Sequence, residues 1–423
     1  MAVTREDALR LDAEDGLAHF KSQFLIADPE LCYLDGNSLG RMPKQTIDVI
    51  NNFLHDEWGR KVVDGWNDWI DEASQSGDLI AASALGAAPG QVLACDTTSV
   101  NLYQLCSAAI KARPGRKKII TDMANFPTDR YVLQGLAKEH GLELIMIDNE
   151  NPAFAVHERI TPEILAPYLS DDVALVSLQV IQYRSGARSD IKELTELVRS
   201  HGALLVWDAA HAVGAIALEF DENGVDLAVG CTYKYGNSGP GAPAWLYVSK
   251  DLQRELQVPI QGWFAQRDQF AMGTHFERSS EIRGFQIATP SIIGLRCVNT
   301  GFAMIEQAGI AAIEAKARMG TSLMVELYEQ WLAPLGFELK SPREASLRGG
   351  HIALAHQEAR RISGTLRTHQ KVIVDYREPA QIRVAISPLA TSFMEIYDGF
   401  DRIRQSVANQ EYLSMESATT RVT

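Results

Sequence analysis

Cysteine is scarce in this chain of 423 residues, and what there is forms no pattern. Cys32, Cys95, Cys106, Cys231 and Cys297 are odd in number, scattered, and without a CxxC pair. A disulfide framework is excluded on that count, and reduced thiols in a cytoplasmic protein are expected. Positive charge is also short. Forty Lys and Arg stand against 54 Asp and Glu, a net charge of -14, which argues against nucleic acid or an anionic membrane as a main partner. A small anionic ligand stays open, because a few local donors suffice for one phosphate. No apolar run approaches the roughly 20 residues of a membrane helix. The opening MAVTREDALRLDAEDG is charged where a secretory signal would be apolar. Internal repeats and low-complexity linkers are lacking too.

What is present is an ordinary globular mix, 46% apolar and 22% charged. The length exceeds one core, since cores stop growing at roughly 250–300 residues. Short apolar runs, QVLAC (91–95), KKIIT (117–121), ELIMI (143–147), VALVSL (173–178) and ALLVW (203–207), read as strands buried on both faces. Stretches of helical spacing separate them, as in IKELTELVRSHG (191–202). That alternation predicts an α/β fold with a mainly parallel sheet. From about residue 300 a long helix-like segment, NTGFAMIEQAGIAAIEAKARMGTSLMVELYEQWL, leads to strand-like GGHIALAH, KVIVDY and QIRVAI, and a last helix near 393–408. The expected division is an N-terminal segment 1–45 packing on a small domain, a large domain 46–300, and a small α+β domain 301–423 with a frayed tail.

Four motifs could carry chemistry. CTYKY (231–235) follows the strand-like VDLAVGC and precedes GNSGPGAP. Its Lys234 is either a solvated loop lysine or a desolvated amine of lowered pKa able to form a Schiff base, with the Tyr233 phenol beside it. ALLVWDAAHAVG ends an apolar run in Asp208, near the carboxyl end of a strand where open α/β sheets bind ligands. Asp208 is either a helix cap or a buried counter-ion for a protonated ring nitrogen; His211 taken alone reads as an ordinary buried histidine. QVLACDTTSVNL outlines an anion site, with hydroxyls at a helix start, though Ser and Thr are also plain caps. In ANFPTDRY (124–131), Phe126 is either core or a stacking ring, and Asp129 either a turn residue or an acceptor near that ring.

Two stretches add single residues. QGWFAQRDQFAM (261–272) holds Trp263, whose N–H needs a partner if buried. DYREPAQIRVAISPL (375–389) sets Arg377 and Arg383 about an apolar strand, as surface residues or as a planar fork for a carboxylate. His351 and His356 of HIALAH, with His369, make a poor metal site, since i, i+5 in a strand points the rings to opposite faces; no metal is expected.

Taken together, YLDGNSLG (33–40), the pairs Trp58–Gly59 and Gly65–Trp66, TTSVNL, NFPTD, WDAAHAVG, GCTYKYGNSGPG, GWF…QFAM, ATPSI and YREP…IRVA resemble the kynureninase family, in that family's order, over roughly residues 30–395. The resemblance implies a fold-type-I pyridoxal-phosphate enzyme, normally a homodimer with its cofactor site at the subunit interface. It would hydrolyse L-kynurenine or 3-hydroxykynurenine to anthranilate or 3-hydroxyanthranilate and L-alanine, in tryptophan catabolism or NAD biosynthesis. Residue by residue it implies that Lys234 carries pyridoxal 5'-phosphate and later takes the substrate's α-proton, and that Tyr233 moves a proton in the late steps. Tyr233, Thr98, Ser99 and Trp263 would contact the phosphate, with Trp263 and Thr289 reaching in from the neighbouring subunit. Phe126 would stack on the ring, Asp208 would pair with its nitrogen supported by Asp129 and His211, and Arg383 would bind the substrate carboxylate.

Departures from the family's pattern are Gln179 and Val180 where a Thr–His pair is more frequent, Ala390 where a tyrosine is usual, and Ser238 where glycine is commoner. The first two and Ala390 bear on which aryl ketone is taken. Other readings are a kynureninase-like enzyme on a modified kynurenine, a cysteine desulfurase or class V aminotransferase, or a pyridoxal-phosphate-binding regulator. A desulfurase needs a mobile cysteine in the C-terminal third, and no cysteine follows Cys297.

Overall fold

The computed structural model describes residues 2–153 and 155–415. Its centre is a seven-stranded sheet in the spatial order Val92–Ala94, Trp245–Val248, Leu227–Gly230, Leu204–Asp208, Val173–Gln179, Lys118–Asp122, Glu143–Ile147. All neighbours pair in parallel except Trp245–Val248, which is antiparallel to both strands beside it. The five apolar runs quoted above are all strands here. Val173–Gln179, Leu204–Asp208 and Leu227–Gly230 are buried at every position, as two helix-covered faces require.

The connecting helices follow local signals. Thr97 caps Thr98–Lys111 by accepting from Val100 N. Pro127 opens Pro127–His140, and Gly141, at φ 64°, closes it in the left-handed region. Ile191–Ser200, capped by Asp190, buries Ile191, Leu194, Thr195 and Val198, spaced for one helical face. Each such aliphatic side chain contributes about 1.5–3 kcal/mol, and Thr195 also accepts the Trp207 indole N–H at 3.1 Å.

A second, four-stranded antiparallel sheet runs Asp375–Arg377, Gln381–Ala385, His351–Ala355, Glu338–Leu339. With helices Ile310–Leu327, Ala359–His369 and Phe393–Ala408 it encloses its own apolar cluster. The N-terminal segment is tied to this part. Cys32–Tyr33 pairs in parallel with Val372–Ile373, and the Asp12 carboxylate accepts from Phe393 N and Met394 N at 2.7 and 3.0 Å. Leu17, Phe20 and Phe24 nevertheless pack into the larger core. The long segment after residue 300 is two helices, not one. Gly309, at φ 77°, separates Ile292–Ala308 from Ile310–Leu327. The buried face of the first, including Leu295, Val298 and Phe302, belongs to the large-sheet core. We therefore propose a division at Gly309 in place of residue 300. The tail expected to fray starts with a short 3-10 turn, Glu411–Ser414; residues 416–423 lie outside the described residues.

Candidate active site

The sheet explains how motifs far apart in sequence meet. Asp208 ends a parallel strand, and the turn of Lys234 and the Phe126 loop each follow one, so all lie at the sheet's carboxyl edge. Val92–Ala94 runs the same way, two antiparallel pairings on, and brings Thr98 and Ser99 to that edge. There they line one cavity of about 400 Å³ with Phe126, Asp129, Asp208, His211, Tyr233, Lys234 and Arg383.

Lys234 Nζ lies 2.9 Å from His211 Nε2. Burial pulls its pKa below the ordinary lysine value, against the opposing pull of Cys231 and Asp208. Burial, then the Lys234 charge, holds His211 well below the usual histidine range. Asp208 is the last residue of its strand and accepts from Ala210 N at 2.8 Å; no helix starts behind it, so it is no helix cap. Burial pushes its pKa up, and pushes Asp129 up further because Asp208 stands beside it. One Asp129 oxygen, Oδ2, is buried without a hydrogen-bond partner. Phe126, half-exposed, meets Tyr183 edge to face at 5.2 Å between centroids.

Arg383 is fully buried and heavily engaged. It pairs with Asp375 through both Nε and Nη2, donates to the Tyr183 carbonyl through Nη1 at 2.5 Å, and reaches Ser38 Oγ at 3.1 Å. Burial works against the Asp375 carboxylate, but Arg383 and Arg377 outweigh it and bring its pKa down to about 2. The same Asp375 charge, after burial, lifts nearby Asp35 to about 7. Asn37, with its amide oxygen turned toward Arg383, accepts from Nη2 and Nε at 3.2 Å each.

Sequence reasoning missed part of this wall. Asn37, Ser38, Thr97 and Thr128 also line the cavity, and Asp375 anchors Arg383 from 8 residues away. The two glycines of YLDGNSLG are both closely packed. A Cβ on Gly36 would fall 1.7 Å from Ser387 Oγ, and one on Gly40 would fall 2.3 Å from the Lys234 carbonyl. Gly40 N also donates to the Tyr233 carbonyl at 2.8 Å, so the N-terminal segment braces the lysine turn directly.

Trp263 and Thr289 do not join the cavity. Trp263 is 46% exposed and donates its indole N–H to the Gln269 carbonyl at 2.7 Å. Thr289 lines a separate open groove with Trp58, Val62, Val63 and Trp66. Of the departures, Gln179 and Val180 are fully buried and do not line the cavity. Val180 N donates to the Asp208 carbonyl, and the Gln179 amide bonds to Gln182 and Tyr183 N. Ala390 is core, and Ser238 donates to the Gly236 carbonyl at 3.2 Å.

This architecture is that of fold-type-I pyridoxal-phosphate enzymes. An apo cysteine desulfurase from Thermococcus onnurineus NA1 superposes with a TM-score of 0.77 at 18% identity, covering 97% of this chain and 100% of the other. C-DES, in a structure with glycine covalently linked to its pyridoxal-phosphate cofactor, matches with a TM-score of 0.77 at 15% identity over 89% and 97%. Within that fold the chain belongs to the kynureninase family. It is 37% identical to the kynureninase of Pseudomonas fluorescens over 404 residues, 94% of each chain. Residues 313–403 match the family model of the kynureninase C-terminal domain.

Proposed function

We propose that this chain hydrolyses the Cβ–Cγ bond of L-kynurenine or a ring-substituted analogue, giving an anthranilate and L-alanine, with pyridoxal phosphate held by Lys234. The observation that carries the reading is one cavity holding a lysine of depressed pKa, two adjacent buried carboxyls and a hydroxyl-bearing helix start, in a member of the kynureninase family. The residues suit the cofactor. Burial pushes both carboxyls toward their neutral forms against the pull of the Lys234 charge, and Asp208 pushes Asp129 further; a protonated ring nitrogen would add a second counter-charge.

Bound there, pyridoxal phosphate provides an aldehyde that captures amines and a ring that drains electrons from the substrate's α-carbon. Thr98 and Ser99, with the N–H groups of their helix start, would hold the phosphate. Phe126 would pack against the ring. Asp208, with Asp129 beside it, would favour a protonated ring nitrogen. Lys234, its pKa lowered by burial, would hold the cofactor and accept the substrate's α-proton. The Tyr233 phenol would move a proton when the aroyl group leaves Cβ. One water enters per bond broken: its oxygen ends on the anthranilate carboxyl and the alanine side keeps the amine. Arg383, aimed by Asp375, holds the substrate carboxylate.

The enzyme works as a homodimer in the cytoplasm. Thr289 lines an open groove with the exposed Trp58, Val62 and Val63, and Trp263 lies with the exposed Phe270 across the buried Phe264 from Trp66 of that groove. Apolar exposure of this kind calls for a partner, and a second copy would carry both residues to the neighbouring phosphate. No described helix is long and apolar enough to cross a membrane. Incubating purified protein and cofactor with L-kynurenine and with its 3-hydroxy form, and quantifying both products, tests the reading. Equal amounts of anthranilate-type acid and alanine are expected; turnover of neither substrate would defeat it.

A further inference from the structure

His211 meets Lys234 through Nε2, while its other nitrogen, Nδ1, is buried without a partner. His351, the first residue of its strand, stands beside it with ring centroids 5.5 Å apart and planes at 53°. His351 is fully buried, and neither of its nitrogens has a partner. The Tyr183 carbonyl nearby accepts from Arg383 and, through its second lone pair, is also an acceptor facing the His351 ring. The Tyr235 hydroxyl is likewise buried and unpartnered, and it lies against the backbone before His351, since a Cβ on Gly350 would come within 2.7 Å of it. Unpaired buried polar atoms are few in native proteins, and here His211 Nδ1, the Tyr235 hydroxyl and the His351 ring are gathered in one place. A buried water bonded to two or more of them would resolve the deficit.

We propose that His351 is a positioning residue for Lys234, joined to it through a buried water and His211. The proposal rests on Lys234 being the cofactor lysine. In turnover the Lys234 amine alternates between an ammonium, which only donates, and a free amine, which also accepts. His211 Nε2 must accept from the first and can either accept from or donate to the second. A neutral imidazole that exchanges roles at Nε2 exchanges them at Nδ1 as well. Water and His351 can each donate or accept, so the exchange strands no buried group. The surroundings keep both rings neutral. Burial, then Arg383, lowers His351 to about 3, with Asp375 opposing and Lys234 adding. Burial, then Lys234, Arg383, His351 and Arg377, lowers His211.

Leucine at 351 removes both roles; glutamine keeps a donor and an acceptor. In cofactor-loaded protein, His351→Leu is expected to move the pH midpoint of the visible cofactor band by about one unit. It should also lower kcat roughly tenfold with little change in KM. His351→Gln should hold both near the wild-type values. A folded His351→Leu protein with the wild-type midpoint overturns the proposal, as does a glutamine variant displaced as far as the leucine one. If His351→Leu does not fold, a high-resolution crystal structure of the native protein decides. A water bonded to His351 and to His211 Nδ1 supports the proposal, and a dry gap overturns it. Loss of the band in the wild type would remove the lysine assignment itself, which separates that failure from this one.

Discussion

Gly40→Ala tests how the N-terminal segment governs the lysine. A methyl at that position would sit 2.3 Å from the Lys234 carbonyl oxygen, 2.4 Å from Asn237 Oδ1 and 2.8 Å from Asn237 Cα. Two of the three are backbone atoms of the turn that carries Lys234, so rotating a side chain cannot relieve them. Restoring ordinary contact displaces the turn by about 1 Å, and a misplacement of that size costs on the order of 10²-fold in rate, or about 2.7 kcal/mol of barrier. Overpacking itself destabilises by about 1–3 kcal/mol. The assay is kcat for kynurenine cleavage alongside thermal melting. Gly135→Ala is the control: nothing lies within 4 Å of its added methyl, and it sits inside helix Pro127–His140, where alanine gains about 0.5–1 kcal/mol. Wild-type kcat in the folded Gly40→Ala protein would refute the bracing argument.

Asp129→Asn should act in opposite senses on stability and function. The folded pKa of Asp129 lies above its unfolded value, so its stabilisation is full below the ordinary carboxyl range and lost as pH rises through the folded value. At neutral pH the amide should stabilise cofactor-free protein by roughly 1–2 kcal/mol, read by melting, while kcat falls about 10²-fold. Asp375→Asn strips Arg383 of its buried counter-charge, and a loss of about 3–5 kcal/mol is expected in denaturant unfolding, with a raised KM in whatever folds. Trp263→Ala should leave the melting temperature of cofactor-free protein nearly unchanged but weaken cofactor retention about tenfold, measured by dialysis against absorbance. Unchanged retention would argue against a shared site.

How much of this was legible beforehand depended on sequence distance. The five strands and the helix at 191 announced themselves because buried parallel strands are continuous apolar runs and a one-sided helix repeats at 3–4 residues. Lys234, Asp208, Thr98 and Phe126 stood out because each sits just past such a run, where the topology gathers ligand-binding groups, and all four line one cavity. The Asp375–Arg383 pair was not found: Asp375 reads as an ordinary polar residue ahead of Arg377, and its partner faces it only once two strands align. The braces at Gly36 and Gly40 were equally hidden, since a glycine shows its purpose only when the atoms it admits are known. The break at Gly309 went unread because apolar spacing runs on through both helices. The exposed positions of Trp263 and Thr289 follow from packing alone, and no local pattern announces them.

The central claim is a covalent bond between one lysine and one cofactor. Borohydride reduction of the loaded protein followed by peptide mapping tests it most directly. The account predicts that the reduced cofactor is recovered on the peptide containing Lys234 and is absent from Lys234→Ala protein. Recovery on a different lysine, or on none, would contradict it.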